Sequence, residues 1–135
     1  MNKSISALII DQHPLIRHVV RGLIECKGGK VYETGEELES IKMASIYKPN
    51  IIVIDFVGYK NIQLNLIQKL MLMSPESKVL IYTSLTSMYY LKKCLGIGVS
   101  GYVYKKDDVI NLDGAIDAVI SGHCCFPQLN LPVTA

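Results

Sequence analysis

Four polar residues stand where apolar runs stop. Asp11 follows Ala7 to Ile10, Asp55 follows Ile51 to Ile54, Thr83 follows Lys78 to Tyr82, and Lys105 follows Tyr102 to Tyr104. Carboxylate, hydroxyl and ammonium are the groups needed to hold a phosphoryl on a carboxylate. Asp55 would be the nucleophile and form an aspartyl phosphate. Lys105 would balance the phosphate charge as a flexible point cation. Thr83 would donate a hydrogen bond to a phosphoryl oxygen. A divalent cation held by acidic side chains would neutralise the transferring group. Any one polar strand end is ordinary, since strands must leave the core. The weight lies in all of them together, each of a fitting type.

Those residues need elements to place them, and the chain supplies an alternation. After the first apolar run, Leu15, Ile16, Val19, Val20, Leu23 and Ile24 recur as pairs every four residues. That is one face of an amphipathic helix, with Arg17, His18 and Arg21 turned away. Pro14 suits its first turn and Gly28-Gly29 its end. A short strand follows at Val31 to Thr34, then a helix over 36–47 with acidic residues in its first turn. Ile51 to Ile54 is apolar on both faces, as a central parallel strand must be. Further helices are expected over 61–73 and 87–95, and further strands at Lys78 to Tyr82 and Tyr102 to Tyr104. Asp107-Asp108 opens a last helix, with Ile110, Ala115, Ile116, Val119 and Ile120 inward. Five strands alternating with five helices call for a parallel sheet covered on both faces. Ligands of such sheets bind beyond the carboxyl ends of the strands. Asp11, Gln12, Asp55, Thr83, Ser84 and Lys105 are all expected there.

Composition narrows the function. The chain has 135 residues, 50% of them hydrophobic and 19% charged, which suits one domain with a real core rather than a disordered segment. A net charge of +2 is too small to argue for nucleic acid or an anionic membrane. No apolar run approaches a membrane span and no signal peptide is readable, so a cytoplasmic protein is expected. Adjacent Cys124 and Cys125 suit neither a mutual disulfide nor a zinc pair. Residues 96–101 match G-x-G-x-x-G, but they follow a helix and precede a strand. A dinucleotide site needs the reverse order, so a helix terminator and turn are expected instead. No serine or cysteine has an evident base and orienter, which leaves a hydrolase without support.

The order Asp11, Asp55, Thr83, Lys105 resembles the receiver domain of two-component response regulators. Ile9-Ile10-Asp11-Gln12-His13-Pro14-Leu15-Ile16-Arg17 is similar to the start of the NarL/FixJ (LuxR-type) subfamily. Lys48-Pro49-Asn50, Gly101-Tyr102-Val103-Tyr104-Lys105 and Gly122 with Phe126-Pro127 fit the same subfamily. The resemblance covers about residues 5 to 127. It implies a flavodoxin-like (βα)5 fold, a doubly wound sheet of strand order 2-1-3-4-5. It implies phosphoryl transfer from a sensor histidine kinase to Asp55, with Thr83, Lys105 and an inward-turning Tyr102 forming the switch. The altered surface would be that of helix four, strand five and helix five. The product is a conformational change, so the chain is not expected to be an enzyme. Magnesium would be held by Asp11, Asp55 and the backbone carbonyl of Val57. Gln12 stands where the family usually has a second acidic ligand, so the ion is expected to be held weakly. The loop after Asp55 is shorter than in the family and lacks its usual proline. These departures keep a second reading open, a pseudo-receiver acting as a dimerisation or protein-interaction module without phosphate. Residues 1–123 are taken as the receiver domain and 124–135 as the start of a linker to a DNA-binding domain. DNA would be reached only through that further domain. A second copy of the chain is a further partner, and no membrane is.

Overall fold

The computed structural model describes residues 4–55 and 64–127. Ten elements alternate in chain order: β1 (Ser6–Ile10), α1 (Pro14–Cys26), β2 (Lys30–Thr34), α2 (Glu37–Tyr47), β3 (Ile51–Ile54), α3 (Leu64–Met73), β4 (Lys78–Thr83), α4 (Met88–Ile97), β5 (Gly101–Tyr104) and α5 (Val109–Ile120). The five strands form one parallel sheet of order β2-β1-β3-β4-β5. The parallel sheet is what the alternation calls for, and its flavodoxin-like strand order is the one that the resemblance implies. The expected start of α3 at residues 61–63 and the Val57 carbonyl lie outside the described residues.

Successive residues of a strand point to opposite faces, and the core divides accordingly. Leu8, Ile10, Ile52, Ile54, Val79 and Ile81 pack with Ala44, Leu66, Ile67, Leu70 and Leu91, which places α2, α3 and α4 on one face. Ala7, Ile9, Ile51, Val53, Leu80 and Tyr82 pack with Val20, Ile24, Leu112, Ala115 and Ile116, which places α1 and α5 on the other. Because both faces are covered, β1 and β3 are buried along almost their whole length.

Two apolar positions depart from the sequence expectation. Leu15 is 73% exposed and Ile110 is 79% exposed, although both are expected inward. Each lies in the first turn of its helix, where the helix has only begun to pass over the sheet. In α5 the buried side chain of that region is Leu112 instead.

The glycine-rich stretch behaves as a terminator and a close approach. Gly98 caps α4 with φ of 104°, a left-handed conformation that favours glycine. At Gly101 a methyl group would fall 2.5 Å from Leu80 Cδ1 and 3.0 Å from the Cys125 carbonyl oxygen. That carbonyl belongs to a segment expected to be linker. In the structure the Tyr102 amide donates to the Cys125 oxygen (2.9 Å), and the Cys125 amide donates to Ser100 (3.0 Å). Cys125 therefore pairs in parallel with the outer edge of β5, and the half-buried Phe126 packs against the core. An otherwise open sheet edge is covered by the chain's own continuation.

Candidate phosphoryl-acceptor site

Register brings the chemistry to one edge. Ile10 pairs with Ile54, so the next residues, Asp11 and Asp55, emerge side by side, and the Asp55 amide donates to the Ile10 oxygen (2.9 Å). Thr83 pairs with Tyr104, so Lys105 lies one step beyond, its amide donating to the Thr83 oxygen (2.8 Å). The strand order reverses between β1 and β3, which opens a crevice at the Asp11 and Asp55 ends.

The Lys105 ammonium joins the acids. Its Nζ lies 2.7 Å from Asp11 Oδ2 and 2.7 Å from Asp55 Oδ2. Burial works against this ammonium, but the hydrogen bonds to Asp11 and Asp55 outweigh it and raise the Lys105 pKa. The Tyr82 ring lies 5.9 Å from the same ammonium and adds an aromatic wall; burial pushes its hydroxyl pKa up. Tyr82 was not readable as a site residue, because a buried tyrosine within a strand looks like core.

Asp11 is almost fully buried, and its Oδ1 accepts the His13 amide (2.8 Å). His13 serves as the N-cap residue of α1. Gln12 is exposed beside it, as is Ser84 beside Thr83.

Thr83 is buried, and its Oγ1 accepts the Leu85 amide (3.2 Å), leaving the hydroxyl proton to be donated elsewhere. The Tyr102 hydroxyl donates to the Leu85 carbonyl oxygen (3.0 Å). Leu85 thus links the hydroxyl at the site to a tyrosine whose ring is wholly inside the core. Burial pushes the Tyr102 hydroxyl pKa well above the ordinary range, so it stays a donor. The resemblance implies that Tyr102 turns inward when the switch operates. In the structure it already occupies the inward position, edge-on to Tyr104 with ring centroids 5.8 Å apart. Leu85 escaped the sequence reading because it acts through its peptide group alone. Arg17 escaped it too: expected on a polar face turned away, it donates from Nη1 to the Asp11 carbonyl (2.5 Å).

The site can accept hard cations by chemistry. Two carboxylate oxygens already converge on one positive charge, and oxygen donors suit magnesium, which commonly takes one or two carboxylates plus water and phosphate. Among the described residues there is no cluster of three or more histidine, cysteine or acidic side chains placed to hold a metal.

Comparison with known proteins agrees with this geometry. Residues 7–117 match the response regulator receiver domain. The chain is 33% identical over 125 residues to BvgA, a positive transcription regulator of virulence factors from Bordetella pertussis, covering 92% of this chain and 60% of that protein. It is 30% identical over 125 residues to the DNA-binding transcriptional activator EvgA of Escherichia coli K12, covering 90% and 60%. The chain therefore spans about three fifths of the length of these curated relatives. A LuxR-family two-component response regulator from Aurantimonas sp. SI85-9A1 superposes with a TM-score of 0.81 at 26% identity, over 91% of this chain and 89% of that one. The isolated receiver domain of RcsB from Salmonella enterica serovar Typhimurium, solved with the phosphomimetic BeF3-, shares the fold at a TM-score of 0.81 and 18% identity, over 93% and 95%. No helix among the described residues is long and apolar enough to cross a membrane. On matched length and fold, the chain belongs to the response-regulator receiver domain family.

Proposed function

We propose that this receiver domain accepts a phosphoryl group on Asp55 from a sensor histidine kinase and uses it to reshape the α4–β5–α5 surface for a transcription-regulating output. The observation that carries this is the single Lys105 ammonium shared by Asp11 and Asp55 at 2.7 Å each. A carboxylate oxygen of Asp55 attacks phosphorus as the N–P bond of a phosphohistidine breaks. The donor imidazole leaves with the bonding electron pair and takes up a proton. Lys105 passes from the Asp55 carboxylate to a phosphoryl oxygen, where its charge is needed. Thr83 turns its free hydroxyl proton to another phosphoryl oxygen, and the Leu85 peptide carries that movement to Tyr102. Asp11, Asp55 and the Val57 carbonyl would hold magnesium, which when bound supplies positive charge to the phosphoryl oxygens. Gln12 offers a carbonyl oxygen without charge on a longer side chain, so the ion is held weakly. Residues from 124 onward lead to a DNA-binding domain outside these residues, and DNA contact belongs to that domain.

Gln12 also favours the second reading, an interaction module independent of phosphate. One experiment separates the two. Incubated with a small acyl-phosphate donor and magnesium, the protein should gain one phosphoryl group by intact mass, and Asp55→Asn should gain none. Gln12→Asp should bind magnesium about tenfold more tightly, worth roughly 1.4 kcal/mol, and be phosphorylated faster. A wild type that never gains mass, with Gln12→Asp equally inert, supports the pseudo-receiver.

A further inference from the structure

Every polar group of the Asp11 residue is engaged. Its amide donates to the Thr34 oxygen (3.1 Å), its Oδ1 accepts from the His13 amide, and its Oδ2 meets Lys105. Its backbone oxygen accepts from Arg17 Nη1 at 2.5 Å. The same guanidinium reaches β2 through Nε, which lies 3.2 Å from Glu33 Oε1. Glu33 is gripped again by Arg21 at 2.7 Å. Burial works against the Glu33 carboxylate, yet the bonds from Arg21 and Arg17 hold its pKa below the usual range. Room for the guanidinium exists because residue 35 is glycine. A methyl there would stand 3.0 Å from Arg17 Nη1 and 3.3 Å from the Asp11 oxygen.

Resting on the phosphoryl-acceptor reading, we infer that Arg17 is a positioning residue for Asp11. It clamps the Asp11 backbone to Glu33 of β2, and Gly35 is the gap that admits the clamp. The fork matters rather than the charge. Two N–H groups on one rigid plane reach the carbonyl and the carboxylate together. A lysine ammonium on its flexible stem cannot hold both in a fixed relation. Freed from Arg17, the turn from Asp11 to His13 would loosen, and the Asp11 carboxylate would lose its fixed place opposite Asp55. Partners that orient a metal-binding carboxylate commonly change affinity by 10- to 100-fold when removed.

The test compares wild type, Arg17→Lys, Arg17→Gln, Gly35→Ala and Lys27→Met. Lys27 is the control. It caps the opposite end of α1 and pairs with Asp113 and Asp117 of α5, away from Asp11. Three readouts are taken without phosphorylation: magnesium affinity, the carbon shift of the Asp11 carboxyl, and hydrogen exchange of the His13 amide. Arg17→Lys and Gly35→Ala should each weaken magnesium about tenfold, move the Asp11 signal and speed His13 exchange. Lys27→Met should lower stability and leave all three unchanged. Wild-type values in Arg17→Lys, or losses in Lys27→Met equal to those in Arg17→Lys, would overturn the inference. If magnesium binding is too weak to measure, the Asp11 shift and the His13 exchange decide it alone. A wild type that gains no phosphoryl group removes the acceptor reading and leaves these structural readouts standing.

Discussion

Replacing Lys105 by methionine is expected to cost about 3 kcal/mol of stability at neutral pH, because it removes the ammonium that the largely buried Asp11 and Asp55 carboxylates share, where little water can replace it. Asp11 is 4% exposed at its side chain and Asp55 14%, so neither acid can recover full hydration. The pH dependence gives the prediction its sign. In the wild type the raised Lys105 pKa contributes stability that is present below the unfolded value and lost as alkaline pH passes the folded one. In Lys105→Met this alkaline loss is absent. Urea unfolding at neutral pH and at about pH 11 should therefore show the gap between the two proteins narrowing with alkali. A gap that stays constant, or one below about 1 kcal/mol at neutral pH, would mean that the ion pairs with Asp11 and Asp55 contribute little.

Gly101→Ala is the second large effect. A methyl group 2.5 Å from Leu80 Cδ1 must displace core, and one 3.0 Å from the Cys125 oxygen must push the covering segment off β5. Overpacking of this kind costs about 1–3 kcal/mol. The local signature is sharper than the global one. The Tyr102 amide, bonded to Cys125, should exchange with solvent faster in the variant, while amides of β1 and β3 follow only the global loss. Unchanged protection at Tyr102 would show that the segment after α5 does not depend on this close approach.

Much of the fold was readable because its signals are local. Ile51 to Ile54 is apolar at each position, and only a strand covered on both faces asks for that. Register could not be read, yet Asp11, Asp55 and Lys105 meet, since parallel strands that end in polar residues deliver those residues to one edge. The errors have one physical origin, the phase of a helix against the sheet. Apolar residues occur all round α5, so periodicity alone could not show that Leu112 turns inward while Ile110 faces solvent. In α1 the pairs every four residues located the buried stripe at Val20 and Ile24, but not its end before Leu15. Arg17 shows the reverse error. Its charge suggested a solvated face, whereas the guanidinium is mostly buried between β2 and the turn after β1. What the residue letters could not show at all were contacts made by peptide groups, the Leu85 bridge from Thr83 to Tyr102 and the Asp11 carbonyl held by Arg17.

The central claim is that Asp11, Asp55, Thr83 and Lys105 act as one site on one phosphoryl group. Its most direct test is a titration of the wild type with beryllofluoride and magnesium, followed by amide signals of Thr83, Leu85 and Lys105 and the ring signals of Tyr102. All four should respond on a single saturation curve, and Asp55→Ala should abolish it. Separate curves, or shifts that persist in Asp55→Ala, would contradict it.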